Sequence, residues 1–122
     1  MEQRDILDRT FGFALGIVKL CKDCERSAVS RALIGQLLRA ATSVGANVEE
    51  AQAGQSRADF LSKMSIACKE SREANYWLRL LAASELIGPS HHLLDESTQI
   101  VAILTAIVKR TKAKNGGSGD EV

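Results

Sequence analysis

Four amphipathic segments, a single proline and few β-favouring residues predict an all-α fold, an antiparallel up-down-up-down four-helix bundle. Hydrophobic residues make up 45% of the 122-residue chain but aromatics only 4%. The balance, rich in Ala and Leu, favours helix over strand. The length fits one domain that can bury a core without disulfide or metal staples. We expect the bundle over residues 1–113 and a disordered tail over 114–122, the Gly-rich KNGGSGDEV.

The first helix is expected from about Arg4 to Cys24. Ile6, Leu7, Phe11, Ala14, Ile17, Val18 and Cys21 recur at steps of three and four, the mark of one helical face. Gly12 and Gly16 lie inside it; glycines four apart can admit another helix closely, or be merely tolerated at about 1 kcal/mol each. The second helix is expected from about Ser27 to Ala53, with Leu33, Leu37, Ala41, Val44, Val48 and Ala51 inward and Gly54 just past its end.

The third starts at Ser56, where Ser-Arg-Ala-Asp59 resembles a capping box with Asp in place of Glu. Its stripe is Phe60, Met64, Ala67, Ser71, Ala74, Leu78 and Leu81, and Gly88-Pro89 should stop it near Ile87. The fourth runs from about Leu93 to Lys112, with Ser90 or Asp95 as cap. Leu93, Ile100, Leu104 and Ile107 line one side, and Lys109, Arg110 and Lys112 suit a helix C-terminus.

Composition narrows the function classes. The net charge is +1, whereas binding driven by phosphate neutralisation usually shows a basic excess; a local patch or an oligomeric ring could still concentrate charge. The N-terminus MEQRDILDRT is too charged for a secretory leader, and no apolar run approaches the roughly 20 residues of a membrane span. With three cysteines, an odd count, we expect a reduced cytoplasmic protein without a membrane partner.

The polar residues beside the core form two seams. On the second helix Arg39, Ser43, Ala46, Asn47 and Glu50 share a flank at steps of three and four. This is either a surface meant for close approach or a solvated face of local pairs. On the third, Asp59, Lys63, Glu70, Glu73 and Trp77 line the edge of the core stripe. Lys63 can face Glu70, and Glu73 can lie beneath Trp77, whose indole N–H needs an acceptor when its ring is buried; Glu73 or Glu70 could accept that proton. Paired carboxylates can do acid–base work only with raised pKa values and a pocket, and a di-metal bundle wants Glu-x-x-His, which Glu70-Ser-Arg-Glu73 lacks. A polar network that fixes helix register or a subunit contact is the remaining reading.

Cys21-Lys-Asp-Cys24 with His91-His92 could supply four zinc ligands, but the second pair is adjacent rather than spaced, and Cys21 sits on the apolar stripe. Cys68 reads as a small packed residue. No phosphate loop, nucleophile elbow or metalloprotease motif is present. The expectation is therefore a non-enzyme with no catalytic residue, metal, cofactor or small-molecule substrate.

The run from Gln36 to Leu81 resembles a bacterial family, the four-helix bundle or ribosomal-RNA intervening-sequence proteins. The resemblance rests on Gln36, Arg39, Ala41, Ser43, Asn47 and Glu50, and then on Ser56, Asp59, Phe60, Lys63, Ala67, Lys69-Glu70, Glu73 and Tyr76-Trp77-Leu78. It implies a left-handed antiparallel bundle that tends to form ring-like homopentamers. Founding members of the family are encoded within insertions in large-subunit ribosomal RNA genes, and most have no established biochemical function. A related branch, the accessory protein of diversity-generating retroelements, is a basic pentameric barrel that works with a reverse transcriptase and RNA. The near-neutral charge here departs from that branch. Two expectations follow from the resemblance. The first is a self-assembling interaction or scaffold module, a homopentamer, whose seam residues Arg39, Ser43, Asn47, Glu50, Asp59, Lys63, Glu70, Glu73 and Trp77 organise the bundle edge and the subunit contact. The alternative is an RNA- or nucleoprotein-binding accessory protein associated with rRNA insertions or a reverse transcriptase.

Overall fold

The structure, a computed structural model, describes the backbone at residues 3–24, 27–89 and 91–120 and side chains at 5–24, 27–89 and 91–114. It contains four helices, α1 (Gln3–Asp23), α2 (Ala28–Gln52), α3 (Arg57–Ala83) and α4 (His92–Asp120), and no strand among the described residues. The helices form a four-helix bundle: α2 packs on α3, α3 on α4, and α1 on both α2 and α4. Across these contacts Thr10 meets Gly45, Arg39 meets Glu70, Cys68 meets Thr105 and Asn75 meets Ser97.

Each expected helix is present, and the caps explain most of the ends. Ser27 caps α2 by accepting from the Ser30 N–H, and Ser56 caps α3 by accepting from the Asp59 N–H, both at 3.1 Å. The return bond of the expected box is displaced by one residue: the Asp59 carboxylate accepts from the Gln55 N–H, not from Ser56. Gly54 follows α2 without a positive φ. A Cβ there would come within 3.1 Å of Asp59 Cβ and 3.2 Å of the Ala51 carbonyl, so crowding at the turn, not handedness, selects glycine.

Two ends differ from expectation. α3 stops at Ala83, ahead of Gly88-Pro89. Glu85 takes φ 66°, its N–H donates to the Ala82 carbonyl, and the Leu86 N–H donates to the Leu81 carbonyl. These are the paired bonds of a Schellman ending, built on a glutamate where glycine is usual. At the start of α4, Ser90 lies outside the described residues and Asp95 sits inside the first turn. The cap is His91, whose Nδ1 accepts from the Leu93 N–H at 3.2 Å. α4 itself continues past Lys112 to Asp120.

Most of the expected core of α2, α3 and α4 is buried, with Leu37, Val44, Val48, Met64, Leu78, Leu81 and Leu104 fully so, while Leu33 and Phe60 are half-buried and pack against it. Each such side chain contributes about 1.5–3 kcal/mol relative to exposure. On α1 the buried face is Ile6, Thr10, Phe13, Ile17 and Cys21, while Phe11 is 62% exposed and Val18 37%. Thr10 is buried without penalty because its hydroxyl donates to the Ile6 carbonyl at 2.8 Å. Of the two α1 glycines, Gly16 seats Leu93, whose Cδ2 would lie 3.0 Å from a Cβ there, and Gly12 faces open space.

Candidate functional site

The two expected seams meet. α2 and α3 turn their polar edges toward each other, and Arg39 crosses between them. Its Nη1 donates to Glu70 Oε1 at 3.1 Å and Oε2 at 3.3 Å, and its Nη2 donates to Glu73 Oε2. The same Glu73 oxygen accepts from the Trp77 indole at 3.1 Å. Two turns of α3 thus carry acceptor, acceptor and donor at steps of three and four, and one guanidinium from α2 ties the first two together.

Burial grades the network. The Glu70 side chain is 11% exposed, Glu73 34% and Arg39 49%. Hydrogen bonds from Trp77 and then Arg39 hold the Glu73 carboxyl below its ordinary range, and Glu73 in turn raises Arg39. Both bonds favour the ionised carboxylate. Tyr76 meets the Trp77 ring edge-on with centroids 5.0 Å apart, and Arg79 stands over Tyr76 at 5.7 Å.

Lys63 does not serve Glu70, as the single-helix reading allowed; Arg39 takes that place from the neighbouring helix. Lys63 instead lines a cavity of about 250 Å³ at the α2–α3 turn with Glu50 and Asp59. Ser43 and Asn47 join the two groups along α2, the Asn47 amide donating to the Ser43 carbonyl at 2.9 Å and its hydroxyl at 3.1 Å. Seven of the nine seam residues therefore form two clusters, Arg39, Glu70, Glu73 and Trp77 at mid-bundle and Glu50, Asp59 and Lys63 at the turn, with Ser43 and Asn47 between them along α2.

A second strut lay outside the sequence reading. Arg9 binds Glu96 in a fork, Nε to Oε2 at 3.1 Å and Nη2 to Oε1 at 2.7 Å, and reaches Gln99 Oε1 at 3.0 Å. It closes α1 onto α4. Its residues are separated by nearly the whole chain, so no local spacing could reveal them.

The cysteines are packed thiols. Cys21 and Cys24 are free and buried, and burial pushes the Cys21 thiol up to about 11, away from the thiolate a ligand or nucleophile needs. His91 and His92 stack on each other with centroids 4.7 Å apart. Among the described residues no three His, Cys, Asp or Glu side chains gather in a metal-ligating group. No helix among them is long and apolar enough to cross a membrane.

A four-helix bundle with a salt-bridged polar edge is the class this geometry defines. The model of the 23S rRNA-intervening sequence protein family matches residues 2–106, and the chain belongs to that family. It is 38% identical to a Bacteroides thetaiotaomicron protein of unknown function from the S23 ribosomal protein family, known from a crystal structure. That match covers 89% of this chain and 99% of the other, with a TM-score of 0.78. No curated protein matches the chain.

Proposed function

We propose that this chain is a self-assembling interaction module without enzymatic activity, and that it closes into a homopentameric ring. One observation carries the reading: α1 is apolar on two opposite sides. Ile6, Phe13 and Ile17 enter the core, while Phe11, Leu15 and Val18, spaced by four and three, stay 62%, 46% and 37% exposed. An exposed stripe of large apolar side chains is favourably covered, and a second chain would provide the cover. A cleft of about 470 Å³ beside this stripe, lined by Leu7, Asp8, Phe11, Gly12, Glu49 and Gln52, offers a seat for a neighbour's side chain.

A ring needs two different surfaces on each subunit. The outer rim of the α2–α3 edge suits the second. There Arg39 keeps half its side chain exposed, and Ile66 and Tyr76 are 37% and 48% exposed on the outer face of α3. In this account the seam residues Arg39, Ser43, Asn47, Glu50, Asp59, Lys63, Glu70, Glu73 and Trp77 fix the α2–α3 register and so shape the face a neighbour meets. A lowered Glu73 pKa speaks against this carboxyl as a general acid, which requires the opposite shift. Buried, unpaired thiols fit a reducing cytoplasm.

The test is Phe11→Glu with Leu15→Glu, read by light scattering on a sizing column. The expected result is a fall in native mass with helical content retained. An unchanged mass would remove α1 from the interface.

A second reading, an RNA- or nucleoprotein-binding accessory, is favoured by a group of cations at the α3–α4 end of the bundle that has no carboxylate among its lining residues.

A further inference from the structure

We infer that the cleft between the first turn of α3 and the C-terminal part of α4 binds a nucleotide unit, its phosphate held by Arg57, Arg110 and Lys114 and its base laid on Phe60. The inference rests on the second reading above and names its ligand chemistry and its residues.

The cleft holds about 380 Å³ and combines two kinds of wall. Three cations, one from α3 and two from α4, stand around it, all exposed. None of them has an ion pair or side-chain hydrogen bond to a carboxylate among the described residues. In a chain of net charge +1 this is a local concentration of like charge, which an anion would relieve. Two arginines elsewhere are ion-paired, Arg9 with Glu96 and Arg39 with Glu70 and Glu73, while Arg72 and Arg79 bond to Cys68 and Asn75.

The floor is apolar. Met64 is fully buried, Ile107 is 8% exposed, and Phe60 is half-buried, leaving part of its ring open to the cleft. Thr111 donates its hydroxyl proton to the Ile107 carbonyl at 2.8 Å, so its oxygen remains an acceptor toward a ligand N–H. Guanidinium groups match phosphate oxygens in forked geometry, and a planar base stacks on an aromatic ring with little sequence preference. A phosphomonoester carries nearly two negative charges at neutral pH, a better match to three cations than a single carboxylate. The first turn of α3 adds the positive end of its dipole. Asp59 on the same turn is engaged by the Gln55 N–H and lines the neighbouring cavity, not this one.

Calorimetric titration of the full chain with inorganic phosphate, AMP and a single-stranded 12-nucleotide oligoribonucleotide (a probe length of about one ssRNA site) tests this. AMP should bind at least about tenfold more tightly than phosphate, the share expected of one stacked base. The oligonucleotide should compete with AMP if a strand is the natural source; AMP binding without competition would mark a free nucleotide as the source. Arg57→Gln with Arg110→Gln, both exposed, should lose about tenfold or more while keeping the wild-type melt. Phe60→Leu should weaken AMP and leave phosphate unchanged. Equal affinity for phosphate and AMP, or AMP binding untouched by the double variant, would overturn the cleft as the site. RNA binding untouched by that variant would overturn the cleft but leave the second reading standing. No binding by any of the three probes would overturn both.

Discussion

The guanidinium of Arg39 on α2 and the carboxylate of Glu70 on α3 lie 3.1 Å apart, with the carboxylate almost buried and the guanidinium half in solvent. This asymmetry makes the two partners unequal. Removing Arg39 strands a carboxylate that water barely reaches, whereas an exposed pair of the Arg39–Glu73 kind contributes about 0–1 kcal/mol. Arg39→Ala should therefore destabilise by about 1–3 kcal/mol, and Glu73→Ala by less. Adding Glu70→Gln to Arg39→Ala should recover part of the loss. Urea melts decide it: a cost for Arg39→Ala within the roughly 0.5 kcal/mol of neutral surface changes would contradict the strut.

Glu70→Gln together with Glu73→Gln keeps the shapes but removes both charges facing Arg39. We expect a lower melting temperature and a weakened assembly. If neither moved, the seam would have no part in register or in contact.

Acid should reach the same site through Glu73. Its folded pKa lies below the ordinary 4.5, because the Trp77 and Arg39 hydrogen bonds hold the ionised form. A depressed carboxylate contributes stability above its unfolded pKa and loses it as pH falls through the folded value. Trp77 emission should therefore shift in a step below pH 4.5, and Arg39→Ala should move that step upward. A step in the same place with and without Arg39 would show that the bond does not bear on Glu73.

His91 makes the opposite demand. Burial, then His92, lowers its pKa from 6.5, and only the neutral ring offers Nδ1 to the Leu93 N–H. The folded state thus binds fewer protons than the unfolded chain. Stability should be full above pH 6.5 and decline as pH falls from there toward the folded value. His91→Asn, which still caps a helix, should flatten the melting temperature between pH 7 and 5, the range of ordinary histidine titration. An equally steep profile in that variant would place the pH dependence elsewhere.

Glu85 holds a left-handed backbone that costs a side-chain-bearing residue roughly 1–2 kcal/mol. Glu85→Gly should raise the melting temperature, by about 4 °C for each kcal/mol regained in a domain of this size. A lower melting temperature would mean that the glutamate makes a stabilising contact of its own.

The sequence patterns reached the helices, the cap at Ser56, and Glu73 as one of two candidate acceptors for the Trp77 indole, because each is written in local spacing. Three features were not legible, each for its own reason. α1 carries Ile6, Leu7, Phe11, Phe13, Leu15, Ile17 and Val18 around most of its circumference, so periodicity alone could not choose Phe13 over Phe11 as the core residue. Gly88-Pro89 is a loud stop signal, but the Schellman bonds at Glu85 act first and leave no compositional mark. Arg39 and Glu70 each stood out on their own helix, yet a wheel shows one helix at a time, and the partner across the gap came only from the packing of α2 on α3.

Light scattering on the unmodified chain, eluting from a sizing column, tests the central claim most directly. The account predicts a native mass near five chains, with Phe11, Leu15 and Val18 covered by a neighbour. A single-chain mass at every concentration tried would contradict it, and would leave the Arg39 seam as an intrachain strut alone.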